Sequence, residues 1–170
     1  MSQVRPALVL LAVTIMALLI SACATQAPAP TEDRSVAEQV RAPAGEQPAG
    51  LQVYPLRNPA VTELTEAALA AEQAGDLDQA AMLLERALRI ESRDPELLQH
   101  MAEIRLERGE WEQADSFAGR SFDVGPRVGE LCQRNWRTMA LARERLNRFD
   151  DAHQARERLL ACQVEPPARF

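Results

Sequence analysis

The sequence predicts an all-α body: three helix–turn–helix repeats stacked as a short right-handed solenoid, preceded by a signal peptide and a disordered tether. Three observations lead there. Of the 170 residues 29 are Ala and only 7 are aromatic, which favours closely packed helices over a β-sandwich. One six-residue pattern occurs three times between residues 75 and 152. Residues 24–58 hold Pro28, Pro30, Pro43, Pro48 and Pro55 among Ala, Gln, Glu and Gly, with no apolar period of 2 or 3.6.

Charge and ligand-forming residues exclude several functions. The net charge is −6, all 19 cationic residues are Arg, and no basic block occurs, which argues against nucleic acid as the main partner. Two His and three scattered Cys do not build a zinc site of recognised spacing. No nucleophile–base arrangement is visible: Ser116 and Ser121 stand in no motif, and the Glu and Asp residues follow helix-surface periodicity. The expectation is a binding protein, not an enzyme, with no metal or cofactor.

Residues 1–22 read as an address. Arg5 precedes Ala7–Ile20, a run of 14 residues that is apolar but for Thr14. This suits a signal-peptide core and falls short of the roughly 20 residues of a spanning helix. The run ends Leu19-Ile20-Ser21-Ala22-Cys23, which resembles the bacterial lipobox. The resemblance implies that the signal is cut before Cys23, and that the Cys23 thiol and its new amine carry fatty acyl chains of the palmitate kind. Several buried chains, at roughly 0.8 kcal/mol per CH₂, would anchor the protein firmly. Ala24 stands where Asp favours inner-membrane retention in such lipoproteins, which implies the outer membrane with the body facing the periplasm. The alternative is an ordinary signal peptide with an incidental Cys.

Residues 23–58 read as the lipidated tether, with polyproline character and too little apolar surface to offset chain entropy. Its root-mean-square reach is on the order of 35 Å and its full extension roughly 120 Å. Leu51, Val53, Tyr54 and Leu56 end it with a small apolar cluster that either docks on the first helix or serves as a short contact for a partner.

The repeat begins with Gly75-Asp76-Leu77-Asp78-Gln79-Ala80. It recurs after 34 residues as Gly109-Glu110-Trp111-Glu112-Gln113-Ala114, and after 38 more as Asn147-Arg148-Phe149-Asp150-Asp151-Ala152. Gly or Asn ends one helix in the left-handed conformation. Acidic residues open the next, where the helix dipole favours them, and Ala lets the two helices approach. Period and pattern resemble the tetratricopeptide repeat. The inner-face positions of that family fall on Leu64, Ala67, Ala68, Ala80, Leu84 and Ala87 in the first unit. They fall on Leu98, Met101, Ala102, Ala114 and Phe117 in the second, and on Trp136, Met139, Ala140 and Ala152 in the third. The third unit departs from the family at Ala142 and Arg143, and four extra residues around Gly129–Cys132 lengthen the junction before it.

Asn58-Pro59 and Asp94-Pro95 pair an N-cap with Pro at the first helical position, and Gly125-Pro126 stops the fourth helix. Six helices are expected near 59–74, 77–91, 95–108, 111–123, 129–146 and 149–162. They form units 59–94, 95–128 and 129–162, and 163–170 is a frayed tail. Gln154, Arg156, Glu157 and Arg158 give the last helix a polar outer side that caps the stack. Trp111, Phe117, Phe122, Trp136 and Phe149 are expected in the core, and His100 and His153 at the surface.

Cys132 falls where the third unit's first helix begins and Cys162 where its second ends. A hairpin turning at Asn147 brings them together, which predicts a Cys132–Cys162 disulfide in an oxidising periplasm. Two unpaired apolar thiols are the alternative.

In tetratricopeptide proteins the first helices line a concave face that binds partners. Matching positions are Thr62, Thr65 and Leu69, then Glu96, Gln99, Glu103 and Leu106, then Arg134, Arg137, Leu141 and Arg145. The second unit supplies acid and the third supplies Arg. Either the Arg cluster receives a partner's carboxylates, or the charges pair with one another or stay solvated.

A short lipoprotein with an Ala/Pro/Gln-rich tether and a small tetratricopeptide body is similar to the LpoP type of activator. That resemblance implies a protein partner in the periplasm, a bifunctional (class A) penicillin-binding protein, which docking would stimulate in peptidoglycan synthesis. Pilotin-type lipoproteins that escort secretin subunits, as in type IV pilus assembly, are the alternative of another class, and a generic envelope scaffold is a third.

Overall fold

The computed structural model describes residues 36–41 and 58–163. The expected leader, the lipidation expected at Cys23, the apolar cluster at 51–56 and the tail from 164 onward lie outside the described residues. Within them the regular elements are helices: α1 (Val36–Arg41), α2 (Pro59–Gln73), α3 (Leu77–Ile90), α4 (Pro95–Glu107), α5 (Trp111–Val124), α6 (Glu130–Arg145) and α7 (Phe149–Leu160).

The three copies of the pattern make one kind of turn. Gly75, Gly109 and Asn147 have φ of +77°, +74° and +59°. In each, the next N–H reaches back to close the preceding helix: Asp76 to the Ala71 carbonyl (2.9 Å), Glu110 to Arg105 (2.9 Å) and Arg148 to Arg143 (2.8 Å). Asp76 then caps α3 by accepting from the Gln79 N–H, as Asp94 caps α4 by accepting from Leu97. Only glycine takes the left-handed region without cost, and a Cβ at Gly109 would also lie 3.4 Å from the Trp111 ring. Gly109→Ala is therefore expected to cost about 1–2 kcal/mol, while Asn147→Gly changes stability by a few tenths; urea midpoints of the two variants check this.

Each turn folds two helices into an antiparallel pair, α2–α3, α4–α5 and α6–α7. Pairs stack through α3–α4 and α5–α6, and α4 also meets α6, so the first helices share one side. Ala80, Ala114 and Ala152 are fully buried, which is the close approach their size permits. One core cluster holds Val61, Ala68, Leu84, Leu97, Met101 and Ile104. A second holds Ala102, Ala118, Trp136, Met139, Ala155 and the Cys pair. Phe122 meets Trp136 edge-on at 4.8 Å, and the Arg127 guanidinium lies 4.1 Å from the Phe122 ring centre.

Cys132 and Cys162 are joined in a disulfide with a Cα–Cα separation of 5.6 Å. The insertion before the third unit explains how they meet. Three of its residues extend the helix, which has 16 residues in α6 against 13 in α4, so only one lengthens the junction. The added turn at the N-terminus of α6 carries Cys132 level with the end of α7, where the Gly129 N–H also bonds the Cys162 carbonyl (2.7 Å).

Two expectations are corrected. The segment read as a wholly disordered tether contains α1, which packs on α4 and α6. Phe149, expected in the core, is 61% exposed. Its counterparts Leu77 and Trp111 pack against core clusters, whereas no further described repeat follows α7 to cover it.

Candidate functional site

The concave side is built by α4 and α6, with α2 at its edge and α1 lying across it. Glu103, two turns into α4, is its centre and is 1% exposed. Its carboxylate receives the Arg134 guanidinium in a two-pronged contact, Nε to Oε1 at 2.9 Å and Nη2 to Oε2 at 3.0 Å. It also accepts from Gln99 Nε2 (2.9 Å), which in turn donates to Thr138 Oγ1 (2.8 Å). Arg41 of α1 completes the set by donating Nε to Oε2 at 2.7 Å. One carboxylate thus ties three helices through charge-assisted bonds.

Arg41 reaches a second acid. Its Nη1 lies 2.8 Å from Glu72 of α2, whose other oxygen is 2.7 Å from His100 Nε2. Burial acts against the charged Glu72, but hydrogen bonds from His100 and Arg41 and the Arg41 charge outweigh it and hold the carboxyl below its ordinary value of 4.5. A depressed folded-state pKa stabilises the fold above the unfolded value, and that stabilisation is lost as pH falls through the folded one. On lowering the pH from 7 to 3.5, the wild-type protein should therefore lose more stability than Glu72→Gln; parallel urea titrations at the two pH values measure the difference.

Of the eleven positions predicted to line the groove, the eight on α4 and α6 lie on this side, though not as an open surface. Gln99, Glu103 and Leu106 are buried to 1% exposure or less and form its floor. Arg134 pairs with Glu103, and with Glu96 at 3.5 Å. Arg137 donates to the Gln133 side chain and to the Val40 carbonyl, each at 3.0 Å. Burial pulls its guanidinium below the usual arginine value; Glu130 opposes this and Arg134 adds to it. Leu141 packs beside Val40, and Arg145 stands over Trp111 at 5.8 Å. Arg134 has thus paired with acids of α4, while Arg137 is engaged by an amide and a backbone carbonyl and Arg145 by a ring.

Sequence reasoning missed Glu72, His100 and α1. His100 is 9% exposed, not a surface residue, because it turns toward Glu72 on the neighbouring helix. His153 is exposed. A signal for α1 was present: Ser35-Val36-Ala37-Glu38 fits the capping-box pattern, and Val36 and Val40 are spaced to share one helix face. Among the described residues no cluster of side chains suits a metal ion, and no helix is long and apolar enough to cross a membrane.

Comparison with known proteins agrees with this architecture. The family model described as tetratricopeptide repeat matches residues 71–120. Among solved structures, the globular C-terminal domain of P. aeruginosa LpoP is similar over 61% of this chain and 98% of its own, with 32% identity and a TM-score of 0.58. The Arabidopsis OM64 TPR domain shares the fold at 18% identity, covering 60% of this chain and 82% of its own with a TM-score of 0.55. No curated protein matches. Its repeat architecture, and its likeness to nearly the whole of that bacterial domain at 32% identity, show that the chain belongs to the LpoP family of tetratricopeptide-repeat proteins.

Proposed function

We propose that the protein is an outer-membrane-anchored periplasmic adaptor that binds a class A penicillin-binding protein and stimulates its synthesis of peptidoglycan. The observation that carries this is the similarity to the LpoP domain along nearly its full length. A stack of helical hairpins with no candidate nucleophile, and with a polar groove between α4 and α6, supports action by binding. The groove residues Glu96, Gln99, Glu103, Leu106, Arg134, Arg137, Leu141 and Arg145 form the docking side, and the partner is a protein. Stimulation requires that docking favour the active state of the synthase, since a ligand shifts an equilibrium only by its differential affinity for the two states.

Acyl chains on Cys23 hold the protein at the membrane, and the residues between Cys23 and the repeats let the body reach inward, raising its local concentration at the cell wall. Addition of purified residues 23–170, with Cys23→Ser, to the cognate synthase should speed glycan polymerisation severalfold; an unchanged rate would refute activation. Fractionation of cells expressing full-length protein should place it in the outer membrane, and Cys23→Ser should release it.

A further inference from the structure

We propose that α1 is an intramolecular placeholder in the docking groove, exchanged on binding for a partner segment of the same chemistry: an apolar side chain followed directly by Arg. The inference rests on the groove being the docking side. A helix of six residues is too short to persist alone in water, so α1 owes its form to the groove. Val36 packs at the groove's edge, and two adjacent residues at the end of α1 are the most deeply engaged. Val40 is fully buried in a socket of Leu106, Ala114 and Ala142. Arg41 is clamped between Glu72 (2.8 Å) and Glu103 (2.7 Å). Arg137 binds the Val40 carbonyl, an acceptor that the end of a helix leaves open. Glu38 and Gln39 face outward.

The two acids of the groove keep partners when α1 leaves. Without Arg41, Glu72 keeps His100, and Glu103 keeps Arg134 and Gln99. The emptied site therefore presents an apolar socket beside two partnered carboxylates, which suits a basic segment rather than an acidic one. Beside Gln39 a separate cleft of about 240 Å³ runs along α6 and α7 over Trp136, Ala140 and Leu159. Sixteen residues, 42–57, join α1 to the first repeat, so release needs no change in the repeats.

Exchange has a mechanical consequence if Cys23 is the anchor. With α1 seated, the body hangs from residue 36, at most roughly 45 Å of chain from the membrane. With α1 released it hangs from residue 58, at most roughly 120 Å away. Partner docking and reach are then one event.

The test uses residues 23–170 carrying Cys23→Ser and Val40→Cys, and reads the rate of thiol alkylation by a maleimide, with Glu38→Cys in place of Val40→Cys as the exposed reference. Position 40 should react at least tenfold more slowly than position 38. Adding Arg41→Glu, or a synthetic peptide of residues 34–43 at millimolar concentration, should each raise its rate to within twofold of the reference. Equal rates at the two positions from the outset would overturn the proposal, as would protection that survives either treatment. Circular dichroism confirms that the repeats stay folded in every variant. The assay contains no synthase, so its failure leaves the adaptor reading standing, and an inactive polymerisation assay leaves the placeholder standing.

Discussion

Replacing Cys132 and Cys162 together with Ala should lower the thermal midpoint by about 15 °C. The bond closes a loop with a sequence separation of 30, for which the chain-entropy model gives roughly 3–4 kcal/mol, and in a domain of this size each kcal/mol moves the midpoint by about 4–8 °C. The effect is large because of where the bond lies. It ties the last hairpin shut at the end opposite the Asn147 turn, in a unit stacked on a single described neighbour. It also sits among Phe122, Trp136 and Leu159, so the variant leaves a gap as well as a longer free loop. Thermal melts by circular dichroism of oxidised wild-type protein and the double variant measure it. A shift under 5 °C would mean that the hairpin is held by packing alone.

Glu103→Ala is the second large expected effect, about 3 kcal/mol in urea-derived stability. Removing one member of a buried ion pair costs about 3–5 kcal/mol because its partner keeps a desolvated charge. The lower end applies, since the Arg134 side chain is 17% exposed and has Glu96 nearby. The same substitution frees a Gln99 donor and leaves Arg41 of α1 with Glu72 as its remaining acid. Glu96→Ala, on the same face but 42% exposed at its side chain, should cost under 1 kcal/mol. Equal effects from the two would contradict the assignment of Glu103 as the centre of the groove.

The turns and the groove differ in how far the sequence revealed them, and the reason is physical. A left-handed residue followed by an acidic helix start is a local requirement, so Gly75, Gly109 and Asn147 announce three hairpins without reference to the rest of the chain. The Cys132–Cys162 pairing follows from hairpin geometry once the third turn is placed. Which charges meet across the groove is not local. Glu103 and Arg134 lie 31 residues apart and Arg41 and Glu103 lie 62 apart, and nothing in the periodicity of α4 separates Glu103, which is buried, from Glu96, which is not.

Residues 36–41 were harder still. Their composition, set among Pro and Gln, is that of an unstructured segment, and Val36 and Val40 gain a place to bury only when α4 and α6 stand side by side. Phe149 errs the other way. It occupies the position of Leu77 and Trp111 in the pattern, yet burial there depends on a neighbouring surface that α7 lacks.

The central claim is that the groove between α4 and α6 meets a peptidoglycan synthase. Its most direct test places a photocrosslinking amino acid at Arg137 or Arg145 of the full-length protein in cells and identifies the captured protein by mass spectrometry, with the same group at Met82 on the exposed side of α3 as control. The expected capture is a class A penicillin-binding protein from the two groove positions and not from Met82. Capture of that synthase from Met82 alone, or of a secretin from the groove, would contradict it.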